Sequence, residues 1–470
     1  MRAILATSIA VTCTAALALP LALPAGASAA GPAGASTAGT SRAPAAAQAV
    51  PDGIPGSTRS LPLRPLRTSQ RGAAPDAQGL SAHGVSPFSL VGVVWDDPDT
   101  ELHGRAQVRT RPVGGTGWTG WQDVQTHDDD APDPQSAEHR GGRVRGSTAP
   151  LWVGASDAVE LRVAPERDGS GRTAARRALP AGMHLELVDP GRDTAQVRAA
   201  RTGEQTSGEG RPKPPRGNTG TVGSALGSLL GIFRIPALGK PAGPGDDYDD
   251  DPAPRPTNPT TPRPSNPRGH VGPRPAIVTR AGWGADEKLR ERQFAYTRSV
   301  RAAFIHHSAT GNHYRCAQAP SVLRSIYRYH VKSSGWRDMG YNFLIDKCGT
   351  IYEGRAGGVA KPVMGAHTRG FNGNSMGIAV LGSFENANPP AAAVTAVAKL
   401  TAWKLGLYGV NPRATTSLVS GGGNRFKKGV RAKLHAISGH RDGFNTQCPG
   451  DRLYSKLGSA RSAAARLQGR

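Results

Sequence analysis

Ala302-Ala303-Phe304-Ile305-His306-His307 is a short apolar run that ends in two histidines. Its length and composition predict a buried strand that delivers polar side chains at its end. The flanking sequence supplies partners for it. From Pro320 to His330, the residues Val322, Leu323, Ile326, Tyr327 and Tyr329 recur at helical spacing, with proline at the start. Tyr341 to Asp346 is largely apolar, and Gly349-Thr350 turns it into Ile351-Tyr352-Glu353, a hairpin. Gly377 to Leu381 reads as another buried strand, and Ala391 to Leu407 as a helix with Val394, Val397, Ala398, Leu400, Thr401 and Leu405 on its packing side. Strands and helices mixed in this way predict an α/β domain over 275–467, a mixed sheet with covering helices.

Upstream the texture differs. Ser89 to Trp95 is a short apolar run, and Ala106 to Arg111, Val159 to Val163 and Met183 to Val188 alternate with period two. Gly, Pro and Asp separate them, which predicts a small all-β, sandwich-like domain over 85–190. Trp118, Trp121 and Trp152 suit either its core or a face on which sugars stack. Residues 30–84 are rich in Ala, Pro and Ser and read as a disordered spacer, and 191–274 reads as a Pro/Gly/Asp-rich linker. The acidic run from Asp246 to Asp251 lacks the internal glycine and spaced ligands of a calcium loop, so it reads as solvated linker.

Residues 1–29 carry Arg2, an apolar run from Ala3 to Leu23 and Ala27-Ser28-Ala29, the pattern of a secretory signal peptide. No later stretch reaches the roughly 18 unbroken apolar residues a membrane span needs. The chain of 470 residues bears a formal charge of +23. A basic protein ordinarily suggests nucleic acid; export removes that partner and leaves the anionic polymers and peptide carboxylates of a cell wall. Once Cys13 leaves with the signal peptide, Cys316, Cys348 and Cys448 remain, an odd number for an oxidising compartment. Spacing alone does not give the connectivity. Cys448 lies in Thr446-Gln447-Cys448-Pro449-Gly450, whose neighbours read as a site, so by counting Cys316 pairs with Cys348.

A catalytic zinc needs three protein ligands and one open position. His306, His307, His313, His330, His367, His435, His440 and Cys448 are available in the C-terminal region. The end of the strand at His306 and the stretch Gly439-His440-Arg441-Asp442 followed by Cys448 stand out. Metal ligation would explain an unpaired exported thiol. His330 ends a helix and reads as structural. Nothing matches the His-Glu-x-x-His helix of zinc proteases.

Five motifs follow in order: Phe304-Ile305-His306-His307-Ser308-Ala309-Thr310; Gly335-Trp336-Arg337-Asp338-Met339-Gly340-Tyr341-Asn342-Phe343; Ile351-Tyr352-Glu353-Gly354-Arg355; Gly365-Ala366-His367-Thr368 with Gly370-Phe371-Asn372; and Ser438-Gly439-His440-Arg441-Asp442 with Thr446 to Gly450. Together they resemble the peptidoglycan recognition protein and phage-type amidase family, over the C-terminal region only. The resemblance implies a secreted, zinc-dependent N-acetylmuramoyl-L-alanine amidase acting on peptidoglycan, with zinc ligands at His306, His440 and Cys448. It implies that the Tyr341 hydroxyl and Thr446 hydrogen-bond either the oxyanion formed when the lactyl amide is attacked or the metal-bound water. The position two before the cysteine is lysine in the phage enzymes and threonine in active recognition-protein amidases, and here it is Thr446. His367, Asn372 and Arg355 are expected to line the substrate groove. One rival is a non-catalytic peptidoglycan-binding module, as in relatives that lack the ligands. Another is a different wall hydrolase; a glycosidase needs paired carboxylates, and no such pair is apparent.

Overall fold

The computed structural model of the protein describes residues 53–66, 76–126, 130–166, 177–193 and 269–470. The expected signal peptide and most of the expected linker, with its acidic run, lie outside the described residues.

The C-terminal domain is built on a six-stranded sheet in the order Ile277–Val278, Ile351–Glu353, Phe343–Ile345, Ser375–Val380, Ala302–His307, Ile437–Gly439. Neighbours pair in parallel except Phe343–Ile345 with Ile351–Glu353, the expected hairpin. Parallel strands covered on both faces are apolar along their whole length, and every residue of Ala302–His307 and Ser375–Val380 is buried. On one face Ala303, Ile305, Phe343, Ile345, Ile378 and Val380 pack beneath helices Ala391–Leu407 and Leu457–Leu467. On the other, Leu344 and Ala379 meet helix Ala319–Arg328, which widens into a π-helical turn at Tyr329–Ser333. A disulfide between Cys316 and Cys348, with Cα atoms 6.2 Å apart, ties the approach to that helix to the hairpin turn.

The upstream domain is an antiparallel β structure whose spine is the long strand Leu151–Pro165, pairing with Phe88–Trp95, Gln78–Ala82 and Gly104–Pro112. It starts earlier than the expected boundary at 85. Ser57–Pro62 pairs along its full length with His184–Asp189, and Gln78–Ala82 with the spine. Both lie in the stretch expected to be spacer. Ser57–Pro62 is an edge strand with mostly exposed side chains, so it joins through backbone hydrogen bonds and shows no apolar period. Trp152 is buried, while the guanidinium of Arg109 lies over the rings of Trp118 and Trp121 and that of Arg162 over Trp121.

The two domains share a core. Leu90, Val94, Trp152 and Val188 from the β domain pack with Val322, Ile326 and Tyr329 from the C-terminal domain. The buried Tyr329 hydroxyl donates to the Thr148 carbonyl at 3.1 Å. It reaches that depth because residue 92 is glycine: a Cβ there would sit 2.3 Å from the hydroxyl. Among the described residues no helix is long and apolar enough to cross a membrane.

The disulfide spans a sequence separation of 32, for which chain entropy gives roughly 3–4 kcal/mol. The double variant Cys316→Ala/Cys348→Ala is expected to lose about that much unfolding free energy in a denaturant titration. An unchanged midpoint would show that the bridge adds nothing to a fold already held by its core.

Candidate functional site

The parallel register between Ala302–His307 and Ile437–Gly439 sets Ile305 opposite Gly439. The next residue of each chain, His306 and His440, therefore leaves the sheet edge beside the other, with ring centroids 4.5 Å apart. Alternation along the strand decides between the adjacent histidines. His306 shares the face of Phe304, while His307 turns the other way, its Nδ1 accepting from the Phe384 N–H at 3.3 Å and its Nε2 lying 3.5 Å from Glu385. After the one-turn helix His440–Gly443 the chain bends back, and the Arg441 N–H donates to the Cys448 carbonyl at 3.0 Å. That bend brings the fully buried Cys448 Sγ to 3.7 Å from His306 Nδ1.

One donor atom from each of His306, His440 and Cys448 lies within 4.8 Å of the others. Donors around a tetrahedral zinc, at bond lengths of about 2.0–2.3 Å, stand roughly 3.3–3.8 Å apart, so the three suit a metal after small adjustment. The state of His440 agrees. Its ring is fully buried, and neither nitrogen makes a hydrogen bond among the described residues, the Asp130 carboxylate standing 3.5 Å from Nδ1. A buried imidazole left so is explained by a ligand. Burial, with His306, His367 and His307 nearby, holds its pKa well below the usual histidine value, which favours the neutral, ligating form. Behind His306, Nε2 lies 3.3 Å from the Thr368 hydroxyl, which in turn lies 3.0 Å from His367 Nδ1. Such a relay fixes ring orientation.

The remaining expected residues fall around this centre. The Tyr341 ring centroid is 5.4 Å from that of His306. Thr446 is half-buried, and its hydroxyl accepts from the Cys448 N–H at 3.2 Å, bracing the cysteine's turn. His367 is fully buried against the sheet, where a Cβ on Gly377 would lie 2.3 Å from its ring. Asn372 accepts at Oδ1 from the backbone of His367 and Thr368, at 2.7 and 3.1 Å. Arg355 is buried, its Nε donating to the Met339 carbonyl at 2.6 Å. His330 is structural, as expected: it stacks on Trp336 at 4.3 Å and accepts from the Gly340 N–H at 3.1 Å. Burial pushes it down to about 3. Glu353 accepts from the Arg280 N–H at 3.3 Å, away from the histidines.

The sequence reading missed three acidic residues of the β domain. Asp130 Oδ1 lies 3.0 Å from His306 Nδ1 and 3.5 Å from His440 Nδ1, and its Oδ2 accepts from the Tyr341 hydroxyl. Asp133 Oδ1 accepts from the Gly370 N–H and from Asn372 Nδ2, both at 2.7 Å. Burial raises the Asp133 carboxyl against those hydrogen bonds. Glu138 takes the Arg355 guanidinium in a two-pronged pair at 2.8 and 2.9 Å and accepts from the Arg337 N–H at 2.9 Å. Burial alone would raise its carboxyl, but Arg355 and then Arg337 hold it below the ordinary value. The available signal was a cluster of acids, Asp128 to Asp130, Asp133 and Glu138, within a strongly basic chain.

Residues 296–451 match the N-acetylmuramoyl-L-alanine amidase family, and residues 41–184 match the family described as Rv3811 N-terminal galactose-binding domain-like. The chain is 31% identical over 181 residues to peptidoglycan-recognition protein SC2 of Drosophila simulans, which covers 38% of this chain and 84% of that protein. It is 31% identical over 185 residues to peptidoglycan recognition protein 1 of Bos indicus, covering 38% and 80%. Against the N-acetylmuramoyl-L-alanine amidase of Homo sapiens it is 31% identical over 188 residues, covering 39% of this chain and 28% of that one.

Removing one partner of a buried ion pair leaves an uncompensated charge and typically costs about 3–5 kcal/mol. Glu138→Ala should destabilise the protein by about that amount, and Glu138→Leu/Arg355→Met should recover most of it. Chemical denaturation of the two variants checks this, and a loss below about 1 kcal/mol for Glu138→Ala would contradict the pair's burial.

Proposed function

The chain belongs, through its C-terminal domain, to the peptidoglycan recognition protein and N-acetylmuramoyl-L-alanine amidase family, and from that membership we propose that it is a secreted zinc amidase. Its reaction is hydrolysis of the amide between the lactyl group of N-acetylmuramic acid and the first alanine of the peptidoglycan stem peptide. The observation that carries this reading is the buried trio His306, His440 and Cys448, with a neutral His440 whose nitrogens make no hydrogen bond among the described residues. A module that only binds has no need of a buried neutral imidazole set against a thiol.

Zinc in such a site lowers the pKa of water toward neutrality and polarises a carbonyl. The protein's own share is orientation and charge. Thr368 holds the His306 ring in place, and the turn braced by Thr446 holds Cys448. Tyr341 stands beside His306 with its hydroxyl directed to the histidine side of the site. There it donates to the oxyanion that develops on the lactyl oxygen, a stabilisation worth about 3–4 kcal/mol in comparable sites. Arg355 and Asn372 offer a guanidinium and an amide to the carboxylates and carbonyls of a bound stem peptide. The signal-peptide pattern at residues 1–29 supports secretion, and the charge of +23 favours retention on anionic wall polymers.

The purified protein should carry about one zinc per chain by elemental analysis, and Cys448→Ala should lose it, since a site short of one ligand yields its ion to water and chelators. Cell wall digested with the zinc-loaded protein should release stem peptides that begin with alanine, seen by mass spectrometry, without new reducing sugar ends. Cys448→Ala should release none. Cut cross-links or reducing ends in place of alanine-led peptides would overturn the bond assignment, and full zinc content in Cys448→Ala would remove that cysteine from the ligand set.

A further inference from the structure

The groove that the amidase reading assigns to the substrate is filled by the protein itself. Residues 130–138 leave the β domain and touch all five of the motifs of the C-terminal domain. At one end the Asp130 carboxylate stands between the paired histidines and Tyr341, 3.0 Å from His306 Nδ1 and 3.5 Å from His440 Nδ1. In the middle the Ala131 carbonyl and the Asp133 carboxylate both accept from Asn372 Nδ2, at 2.9 and 2.7 Å. At the other end Glu138 engages Arg355 through both of its oxygens. Tyr341, Asn372 and Arg355 are the residues that would otherwise meet the reacting carbonyl and the stem peptide. Each is bonded to an acid or a carbonyl of this one segment.

The chemistry of the segment matches that of the ligand it displaces. A stem peptide is an extended chain bearing carboxylates. Residues 130–138 present carboxylates at 130, 133 and 138 to hydrogen-bond donors of the C-terminal domain. A carboxylate oxygen is a good ligand for zinc, and the position of Asp130 against two of the three ligand side chains is where an added oxygen donor would stand. The contact is fixed rather than incidental. Glu138 is buried and Asp133 half-buried, and the domain that carries them is anchored by the shared core around Tyr329.

We propose that segment 130–138 is an internal substrate mimic that keeps the amidase latent, with Asp130 as a fourth metal ligand and Asp133 and Glu138 holding the peptide-binding donors. The proposal rests on the zinc amidase reading. In it, the β domain regulates access to the groove, and the enzyme works when the wall's own acidic peptide displaces the segment. A ligand that binds only the open form is weakened by the fraction of open form. Loosening the segment must therefore strengthen ligand binding without adding any contact to the ligand.

The test uses the zinc-loaded, full-length protein and its Asp130→Ala and Asp133→Ala variants. The probe is the alanine-led stem peptide, a product that the enzyme does not cut, with binding followed by calorimetry. Both variants should bind it at least about tenfold more tightly than the parent, as expected if the closed form holds about nine-tenths of the molecules or more. Asp130→Ala should also give up its zinc to a chelator faster than the parent. Unchanged affinity in both variants would overturn the proposal, because a segment that occupies the groove must compete with its ligand. Weaker binding together with slower wall hydrolysis in Asp130→Ala would also overturn it and make Asp130 part of the working site. Should Asp130→Ala fail to fold, Asp133→Ala alone carries the same reading, since Asp133 touches none of the three metal ligands in the contacts described. The underlying reading fails separately: a parent protein without zinc, whose variants still bind the peptide more tightly, would sink zinc catalysis and the metal role of Asp130 and leave the segment's occupation of the groove standing.

Discussion

The site depends on one pairing, the parallel ladder between Ala302–His307 and Ile437–Gly439. Parallel register is fixed by backbone hydrogen bonds within a sheet buried on both faces, and a slip by one residue would turn His306 to the side of Ile305. With Ile305 held opposite Gly439, the two histidines emerge together at one edge, and the eight-position return to Cys448 closes the set. The packing beneath supports this. Ile305 and Ala303 are locked under Ala391–Leu407 on the far face, so the strand cannot rotate to relieve the crowding of the His367 and His440 imidazoles around His306. That crowding, by burial and by mutual repulsion of charge, keeps His367 and His440 neutral, the state in which imidazole offers a lone pair.

The second constraint is electrostatic. Arg355 is buried, and a buried guanidinium requires a carboxylate partner. In this fold the partner is Glu138, contributed by the other domain. The same holds for the donors of Asn372, which meet Asp133 and the Ala131 carbonyl. The donors that the proposed function assigns to a bound peptide are satisfied in this structure by acids and a carbonyl of the chain itself. The apolar contact around Tyr329 holds the domains together, and the acidic segment sets what that contact means for the groove.

Much of the C-terminal domain was legible because its signals are local. An apolar run ending in His306, a hairpin turn at Gly349-Thr350 and a helical period from Ala391 to Leu407 each declare themselves within a dozen residues. The bridge between Cys316 and Cys348 followed from counting, because only Cys448 had neighbours that read as a site. The choice of His306 over His307 needed the family register; the strand's alternation explains that choice once the register is known. What stayed hidden was nonlocal. Ser57–Pro62 joins its sheet through the backbone with its side chains largely in solvent, so no period marks it. Asp130, Asp133 and Glu138 act more than 200 positions along the chain from Tyr341, Asn372 and Arg355, and no sequence pattern pairs them. The acidic cluster from Asp128 to Glu138 stands in a basic chain, but nothing local to it names the partners that the second domain supplies.

X-ray absorption at the zinc edge of the intact, zinc-loaded protein tests most directly that His306, His440 and Cys448 form the metal centre. The expected first shell is one sulfur at about 2.3 Å with three nitrogen or oxygen donors at about 2.0–2.2 Å. A first shell without sulfur, in a protein that holds its zinc, would contradict that centre.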